Sequence, residues 1–354
     1  MDLPDTMRAV RLHRPRHGDE PAIVQVDEVP VPVPGPHEVL VRIAACGICA
    51  SDLHVVQGTT PHGAELPQIL GHEPAGVVAS VGREVGDWMP GDRVAMLMGR
   101  PCRDCDYCRA GRHNLCRDLE VPGIDGHGAQ AEYALADAAS VIPVPGSVPF
   151  EQAAILTDAV ATPYHALKRG GVGEGVTVAV LGLGGLGMHA VQLAKLAGAW
   201  VVGVDIDEVN LQRALDWGAD EVVDATDGKP AKRVRELTGG GVDSSYEFVG
   251  ANATVDQAVK ALKPGGRACI VGLTPQPMHL LPEALFVAQE LELVGSFGST
   301  PQDLNELMDL LEVGRLDLSG SITHRFSIDG FDHALHQLET RDEHPIRMVV
   351  TYDT

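Results

Sequence analysis

The chain has 354 residues, 44% hydrophobic and 21% charged, which is typical of a globular protein long enough for two hydrophobic cores. Its 27 basic and 49 acidic residues give a formal net charge of −22, which would repel a phosphate backbone and argues against a nucleic-acid partner. Apolar runs fall well short of the roughly 20 residues that cross a bilayer, and residues 1–6 do not resemble a signal peptide, so we expect a cytoplasmic protein without a membrane segment.

From Met7 to about Val144 the sequence consists of short alternating strands broken by Pro and Gly, which predicts a mainly β domain. Two motifs in this half, CASDLH and LGHE, carry side chains suited to metal binding and proton transfer: Cys49, Ser51, Asp52, His54, His72 and Glu73. Thiolate and imidazole ligands suit zinc. A catalytic zinc needs three protein ligands and an open position, so Cys49 and His72 require a third ligand from elsewhere.

Four further cysteines follow in the run CRDCDYCRAGRHNLC, with the spacing CxxCxxCx7C: Cys102, Cys105, Cys108 and Cys116. Four soft ligands complete a tetrahedral shell, which predicts a structural zinc that stabilises a lobe but cannot activate a substrate. Clustered cysteines favour metal-bound thiolates in a reducing compartment over disulfides or unliganded thiols. Cys269, in the apolar run RACIVGL, is predicted to be a buried small hydrophobe.

From about Thr157 a helical stretch is followed by strands alternating with helices, the pattern of a doubly wound parallel sheet. The predicted strands are Val176–Leu181, Val201–Asp205, Glu221–Val223, Ser245–Val249, Ala268–Val271 and Leu291–Phe297. A helix at Pro301–Val313 and the β-like run RMVVTY come last. We therefore expect residues 1–157 to form a catalytic domain with a zinc lobe at about 97–117, residues 158–299 a cofactor domain, and residues 300–354 to complete the first domain.

The run VTVAVLGLGGLG places three glycines in a GxGxxG pattern between an apolar strand and an amphipathic helix: Gly182, Gly184 and Gly187, with Gly185 and Leu186 inside the loop. The first glycine permits the tight turn, the second lets the backbone approach a pyrophosphate, and the third lets helix and strand pack closely. A glycine-rich turn without a nucleotide is the alternative interpretation.

Asp205 ends the next strand, 23 residues after Gly182. A carboxylate there accepts hydrogen bonds from the adenosine ribose hydroxyls. Because no Lys or Arg is adjacent to receive a 2′-phosphate, the pattern favours NAD over NADP.

In this order, CGICASDLH, GHE, the four-cysteine run and GLGGLG resemble the zinc-containing medium-chain dehydrogenase/reductase family, over nearly the whole chain. The resemblance implies a Rossmann cofactor domain plus a mainly β, GroES-like catalytic domain. It also implies a zinc-dependent alcohol dehydrogenase that transfers hydride reversibly between an alcohol, or its aldehyde or ketone, and NAD(H). Two zinc ions per chain, one catalytic and one structural, and a homodimer or homotetramer are further expectations.

In the family the third catalytic ligand is a Cys, Glu or Asp in the segment leading into the cofactor domain. Here LTDAVATPYHAL offers Asp158 and no Cys. Glu73, next to His72, could also approach the metal in an alternate state. Asp52 is expected to orient His72.

By the same resemblance, Ser51, the cofactor ribose and His54 form a proton relay, while zinc polarises the substrate oxygen. The simpler alternatives are a helix cap for Ser51 and a surface position for His54. Arg347 in HPIRMVV matches the family's pyrophosphate-contacting arginine, with a structural or solvated arginine as the alternative. Ala50 departs from the basic residue that the family often has there. Cys46 resembles half of a redox CxxC pair but is predicted to be a packing residue.

Three other functions are alternatives to a zinc-dependent alcohol dehydrogenase. A quinone or enoyl reductase of the same superfamily needs no catalytic metal, and such enzymes lack the set of Cys49, His72 and an acid. A zinc-ribbon binding module would use residues 102–116, but the acidic charge and the glycine loop disfavour it. A pseudo-enzyme would bind NAD and zinc only for assembly, which Ser51 and His54 argue against. The substrate stays open among primary or secondary alcohols, polyols and their carbonyl partners.

Overall fold

The structure is a computed structural model that describes residues 3–59, 64–274, 276–278, 280 and 282–353. The chain divides into two compact units, Met1–Ala161 with Ser299–Thr354, and Thr162–Gly298. The boundary predicted at 157/158 therefore lies at 161/162, and Asp158 belongs to the first unit, because the helix before it packs on that unit's strands. Among the described residues no helix combines the length and apolar character that a membrane crossing needs.

The first part of the first unit is mainly β. Its strands are β1 (Thr6–Arg14), β2 (Ile23–Pro30), β3 (Glu38–Ile48), β4 (Gln68–Ile69), β5 (Glu73–Val81), β6 (Arg93–Met96), β7 (Tyr133–Asp137) and β8 (Val141–Pro143). Its helices are α1 (Ala50–Val56), α2 (Asp106–Arg109) and α3 (Phe150–Ile155). A single π-helical turn, Leu156–Val160, follows α3 directly. Such turns are rare and are often found at functional sites.

The second unit alternates strands with helices, as the sequence pattern predicts. Its elements are α4 (Ala161–Gly170), β9 (Thr177–Leu181), α5 (Gly185–Leu196), β10 (Trp200–Asp205), α6 (Glu208–Asp216), β11 (Glu221–Asp224), α7 (Pro230–Leu237), β12 (Val242–Glu247), α8 (Asn252–Lys260), β13 (Leu262–Ile270), α9 (Glu283–Ala288) and β14 (Glu292–Gly295). In the described part of the chain these strands form one parallel sheet in the order β11-β10-β9-β12-β13-β14. This is the Rossmann strand order.

Three predicted strands differ from the structure by more than one residue at an end, and the one predicted at Ala268–Val271 is the longer Leu262–Ile270. The strand predicted at Ser245–Val249 is Val242–Glu247, because the Glu247 side chain accepts hydrogen bonds from the main-chain N–H groups of Val249 and Gly250 and turns the chain. The strand predicted at Leu291–Phe297 is the shorter Glu292–Gly295. The existence and type of each strand follow from the alternating pattern, whereas strand ends depend on side-chain bonds that periodicity does not report.

The chain then returns to the first unit through α10 (Pro301–Glu312), β15 (Ile322–Phe326), α11 (Phe331–Thr340) and β16 (Arg347–Thr351). Helix α10 begins with a capping box between Thr300 and Asp303 and has Pro301 in its first turn. Strand β16 pairs antiparallel with β3, so the last strand lies beside the one that leads to Cys49. The main sheet has the order β15-β16-β3-β5-β6-β8, with β7 also paired to β3, and a smaller sheet has the order β2-β1-β4.

Candidate metal and nucleotide sites

Three separate segments of the first unit supply the predicted catalytic ligands. Cys49 follows β3 and caps α1, while His72 immediately precedes β5. Strands β3 and β5 are antiparallel with Gly47 opposite Glu73, so the ends that carry Cys49 and His72 are neighbours. Asp158 comes from the π-helical turn that follows α3, and α3 packs on both strands.

The ligand atoms of these segments converge in the interior. Cys49 Sγ lies 3.3 Å from His72 Nε2, which in turn lies 3.5 Å from Asp158 Oδ2. With Glu73 included, one donor atom from each side chain lies within 4.8 Å of the others, and all four side chains are buried. The structure thus brings together every residue that was assigned to the catalytic metal.

Burial governs the proton affinities of this cluster. It raises the pKa of the Cys49 thiol, against the opposing effect of His72, and raises the pKa of Glu73 to about 6, against the lowering effect of Arg347. Burial alone would lower the pKa of His72, but Cys49 and Asp158 raise it well above its ordinary value. Metal ligation requires the thiolate and the neutral imidazole, so a bound dication would displace protons from Cys49 and His72.

The donor set fits zinc. One thiol, one imidazole and one carboxylate are the ligand types that bind Zn²⁺, and three protein ligands leave one position open. With Cys49 as a thiolate and His72 neutral, as ligation requires, a dication would also offset the buried negative charge of Cys49, Asp158 and Glu73, against which Arg347 supplies one positive charge.

Asp52 lies beside His72, as predicted, but is too far away for a hydrogen bond. Its Oδ1 is 3.9 Å from His72 Nδ1, and both atoms are buried without a hydrogen-bond partner among the described residues. Its other oxygen accepts the main-chain N–H of Cys49 at 3.0 Å and thereby caps α1. The orienting role of Asp52 stays a prediction, whereas its contact with the Cys49 main chain is direct.

The two predicted relay residues lie on the first helix after the ligand. Ser51 is half-buried, and its main-chain N–H points at Cys49 Sγ at 3.3 Å. His54 is exposed and lies three residues further on, on the same face of α1. The relay through these two side chains stays a prediction. Ala50 begins the helix and offers no charge for a phosphate.

Arg347, at the start of β16, is 3% exposed, and its guanidinium bonds to both carboxylate oxygens of Glu73. Contact with a pyrophosphate stays a prediction. The Glu73 partnership was not foreseen. The sequence does contain an indication of this ion pair. An arginine and a glutamate are each the first residue of an apolar strand, RMVVT and EPAGVV, and a buried charge requires a partner of opposite charge.

The four-cysteine lobe is organised around α2. Cys108 Sγ lies 3.5 Å from Cys105 Sγ and 3.9 Å from Cys102 Sγ, and the main-chain N–H of Cys102 points at Cys116 Sγ at 3.1 Å. One sulfur from each cysteine lies within 4.8 Å of the others. Four thiols in such a cluster are the donor set of a closed zinc site. Arg103, at a left-handed φ of 62°, pairs with Asp137 at 2.9 Å and ties the lobe to β7.

In the second unit the glycine loop joins β9 to α5. Gly182 has a left-handed φ of 88°, which favours glycine. A Cβ on Gly187 would overlap the carbonyl oxygen of Gly182, whereas a Cβ on Gly184 would meet nothing within 4 Å. Gly187 is thus required for packing, and Gly184, at the N-terminus of α5, leaves open space for a ligand.

Asp205 lies at the carboxyl end of β10 and contacts the glycine loop directly. Its Oδ2 accepts the Leu183 main-chain N–H at 2.6 Å. Its Oδ1 accepts the N–H groups of Ile206 at 2.7 Å and Asp207 at 2.9 Å. The carboxylate is therefore held where the ribose of a dinucleotide is expected, and it also fixes the turn at Leu183.

A Rossmann sheet with a glycine loop after its first strand, in one chain with a Cys-His-Asp cluster, is the arrangement of a metal-dependent dehydrogenase. The family model for zinc-binding dehydrogenases matches residues 185–313, and that for the alcohol dehydrogenase GroES-like domain matches residues 35–146. The predicted fold class is confirmed.

Similar proteins span several substrates. An alcohol dehydrogenase from Geobacillus stearothermophilus is 38% identical over 83% of this chain and 87% of its own length. A sorbitol dehydrogenase from Halalkalibacterium halodurans is 32% identical over 89% of this chain and 92% of its own. A structure described as a zinc-binding dehydrogenase from Sinorhizobium meliloti 1021, bound to NADP, has 32% identity and a TM-score of 0.88, covering 99% of this chain and 100% of that one.

The chain belongs to the zinc-containing medium-chain dehydrogenase/reductase family, and it is an oxidoreductase of the zinc-dependent alcohol and polyol dehydrogenase type.

The two glycines give a matched pair of variants. Gly187→Ala should destabilise the protein by about 1–3 kcal/mol or more, the cost of overpacking a closed contact, as measured by urea denaturation. Gly184→Ala should leave the free energy of unfolding nearly unchanged and weaken dinucleotide binding, measured by quenching of protein fluorescence. Equal stability losses in the two variants would contradict this separation of roles.

Proposed function

We propose that this protein is an NAD-dependent zinc alcohol dehydrogenase that oxidises an alcohol, or reduces its aldehyde or ketone. The observation that carries the proposal is the buried convergence of Cys49, His72 and Asp158 donor atoms in a chain that also has the glycine loop. A metal-independent reductase has no need of this cluster, and a binding module has no need of the glycine loop.

In this proposal the chain's own residues divide the work between holding the metal and moving a proton. Cys49, His72 and Asp158 hold zinc, which supplies a Lewis acid that polarises the substrate oxygen. The Ser51 hydroxyl, close to Cys49 in the chain, accepts the proton that the substrate hydroxyl loses and releases its own proton toward His54. His54, exposed on the same face of α1, passes it to solvent.

The preference for NAD rests on Asp205 and its surroundings. Its carboxylate is already fixed by three main-chain N–H groups, so about one of its four lone-pair sites, on Oδ2, is left to accept a hydrogen bond from a ribose hydroxyl. The following residues, Ile206 and Asp207, bring no positive charge to a 2′-phosphate. Family membership does not decide the cofactor, because a similar structure binds NADP.

The four cysteines of the lobe are proposed to hold a second, structural zinc, giving two metals per chain. The cluster has no carboxylate or imidazole and leaves no ligand position free once four sulfurs bind. Its removal should therefore affect folding before chemistry.

The first test is an assay of NAD reduction at 340 nm over linear, branched, aromatic and polyol alcohols, with and without a zinc chelator. We expect chelator-sensitive turnover with at least one class of alcohol. Turnover that persists after the catalytic metal is removed, verified by metal analysis, would contradict the proposal.

Asp158→Ala tests the third ligand. Removing one of three protein ligands should empty or weaken the catalytic site and leave the four-cysteine site filled, so zinc content should fall from two ions per chain towards one. Cys108→Ser is the matched control, since it should lower the content through the other site. Retention of two zinc ions by Asp158→Ala would contradict the assignment of Asp158 as the third ligand.

Asp205→Ala tests cofactor selection. Hydrogen bonds to a charged group contribute about 1.5–3 kcal/mol, so the ratio of kcat/KM for NAD over NADP should fall about tenfold or more. Asp224, at the end of the neighbouring strand β11, gives the control variant Asp224→Ala, which should leave the ratio unchanged. An unchanged ratio for Asp205→Ala would refute the role.

Ser51→Ala tests the relay. General acid–base groups contribute about 10²–10⁴-fold to turnover, so kcat should fall within that range while both zinc ions remain bound. Normal kcat with full metal content would show that the proton leaves by another route.

A further inference from the structure

One buried glutamine contacts both chain segments that present the metal ligands Cys49 and His72, one through its side-chain amide and the other through its main chain. Gln130 is 0% exposed and lies in the segment before β7. Its side-chain Nε2 donates to the carbonyl oxygen of Gly47 at 3.0 Å, and its main-chain N donates to the carbonyl oxygen of Leu70 at 2.8 Å. Gly47 is two residues before Cys49, and Leu70 is two residues before His72.

The amide is also fixed from its other side. The Tyr352 hydroxyl donates to Gln130 Oε1 at 3.0 Å, so the oxygen and nitrogen of the amide have distinct partners. The Gln130 carbonyl accepts the Val10 main-chain N–H at 2.8 Å. A donor therefore faces Gly47 and an acceptor faces Tyr352, and neither Leu nor Glu reproduces both.

Packing around the amide is tight. A Cβ on Gly71 would lie 2.5 Å from Gln130 Cγ and 3.0 Å from Cys46 Sγ. Gly71 has a φ of 92° and immediately precedes His72, so the backbone that carries His72 rests on the Gln130 side chain. On the other segment, a Cβ on Gly47 would overlap the Glu73 carboxylate.

We propose that Gln130 is a positioning residue that sets the separation of Cys49 and His72 and so tunes the affinity of the metal site. The inference rests on the proposed function only in taking these two residues as zinc ligands. Gln130 is not itself a ligand; its side chain acts through Gly47 and through its packing on Gly71, while the bond to Leu70 is made by its main chain. Groups that orient ligands in this way change metal affinity by about 10- to 100-fold when they are removed.

The test measures zinc affinity of both sites in the whole protein by competition with a chromophoric chelator, without any assay of turnover. Gln130→Met, of similar length, should weaken the Cys49 and His72 site about 10- to 100-fold and leave the four-cysteine site unchanged. Cobalt substituted at the weakened site should show a shifted visible absorption band, because the ligand geometry changes.

Gln337 provides the matched control. It is also a buried glutamine of the first unit, but its amide nitrogen lies within hydrogen-bond distance of His324, Glu343 and the Asp342 carbonyl. Gln337→Met should lower stability and leave both zinc affinities and the cobalt spectrum unchanged. If Gln130→Met does not fold, Tyr352→Phe, which removes only the donor to Oε1, should give a smaller loss of affinity in the same direction.

The outcomes separate the two proposals. A wild-type protein that binds zinc at the four-cysteine site alone would overturn the proposed function. Two zinc sites in the wild type, with unchanged affinity and spectrum in Gln130→Met, or in Tyr352→Phe if the former does not fold, would overturn only the role of Gln130. An equal loss of zinc affinity in Gln337→Met would also overturn the role of Gln130, because the loss would then result from lower overall stability of the protein.

Discussion

The first unit depends on the burial of several ionisable side chains at one point. One ligand atom each from Cys49, His72, Glu73 and Asp158 lies within 4.8 Å of the others, and each side chain would be costly to bury alone. Arg347 offsets part of the negative charge through Glu73, and a dication would offset the rest. Several elements position these side chains. Strands β3 and β5 place Cys49 and His72 side by side, the π-helical turn carries Asp158, and β16 begins with Arg347.

The larger features were predictable because they repeat along the sequence. Strand-helix alternation and the GxGxxG turn predicted the Rossmann unit, and the four-cysteine spacing predicted a lobe whose sulfurs do converge. The ligands Cys49 and His72 were found from local motifs. Asp158 was assigned through family resemblance, since a lone aspartate in a helical stretch carries no metal signature of its own.

The remaining features depend on contacts between residues far apart in sequence. The π-helical turn has no hydrophobic period that distinguishes it from the helices on either side. The pair formed by Glu73 and Arg347 joins residues from the two ends of the first unit, and only the pairing of β16 with β3 places the last strand in that sheet. Gln130 was overlooked because a glutamine in a β-rich segment is usually a surface residue.

The discontinuity of the first unit has a consequence for the order of synthesis. Domains generally fold as units, beginning from the N-terminus, while the chain emerges. Here the contiguous second unit is fully synthesised before Ser299 is translated. Arg347, the partner of Glu73, is translated only after the whole second unit. The segments that carry the metal ligands are thus synthesised first, and the positive charge of Arg347 is added last. Until then Glu73 lacks the ion-pair partner that its burial in the finished unit requires.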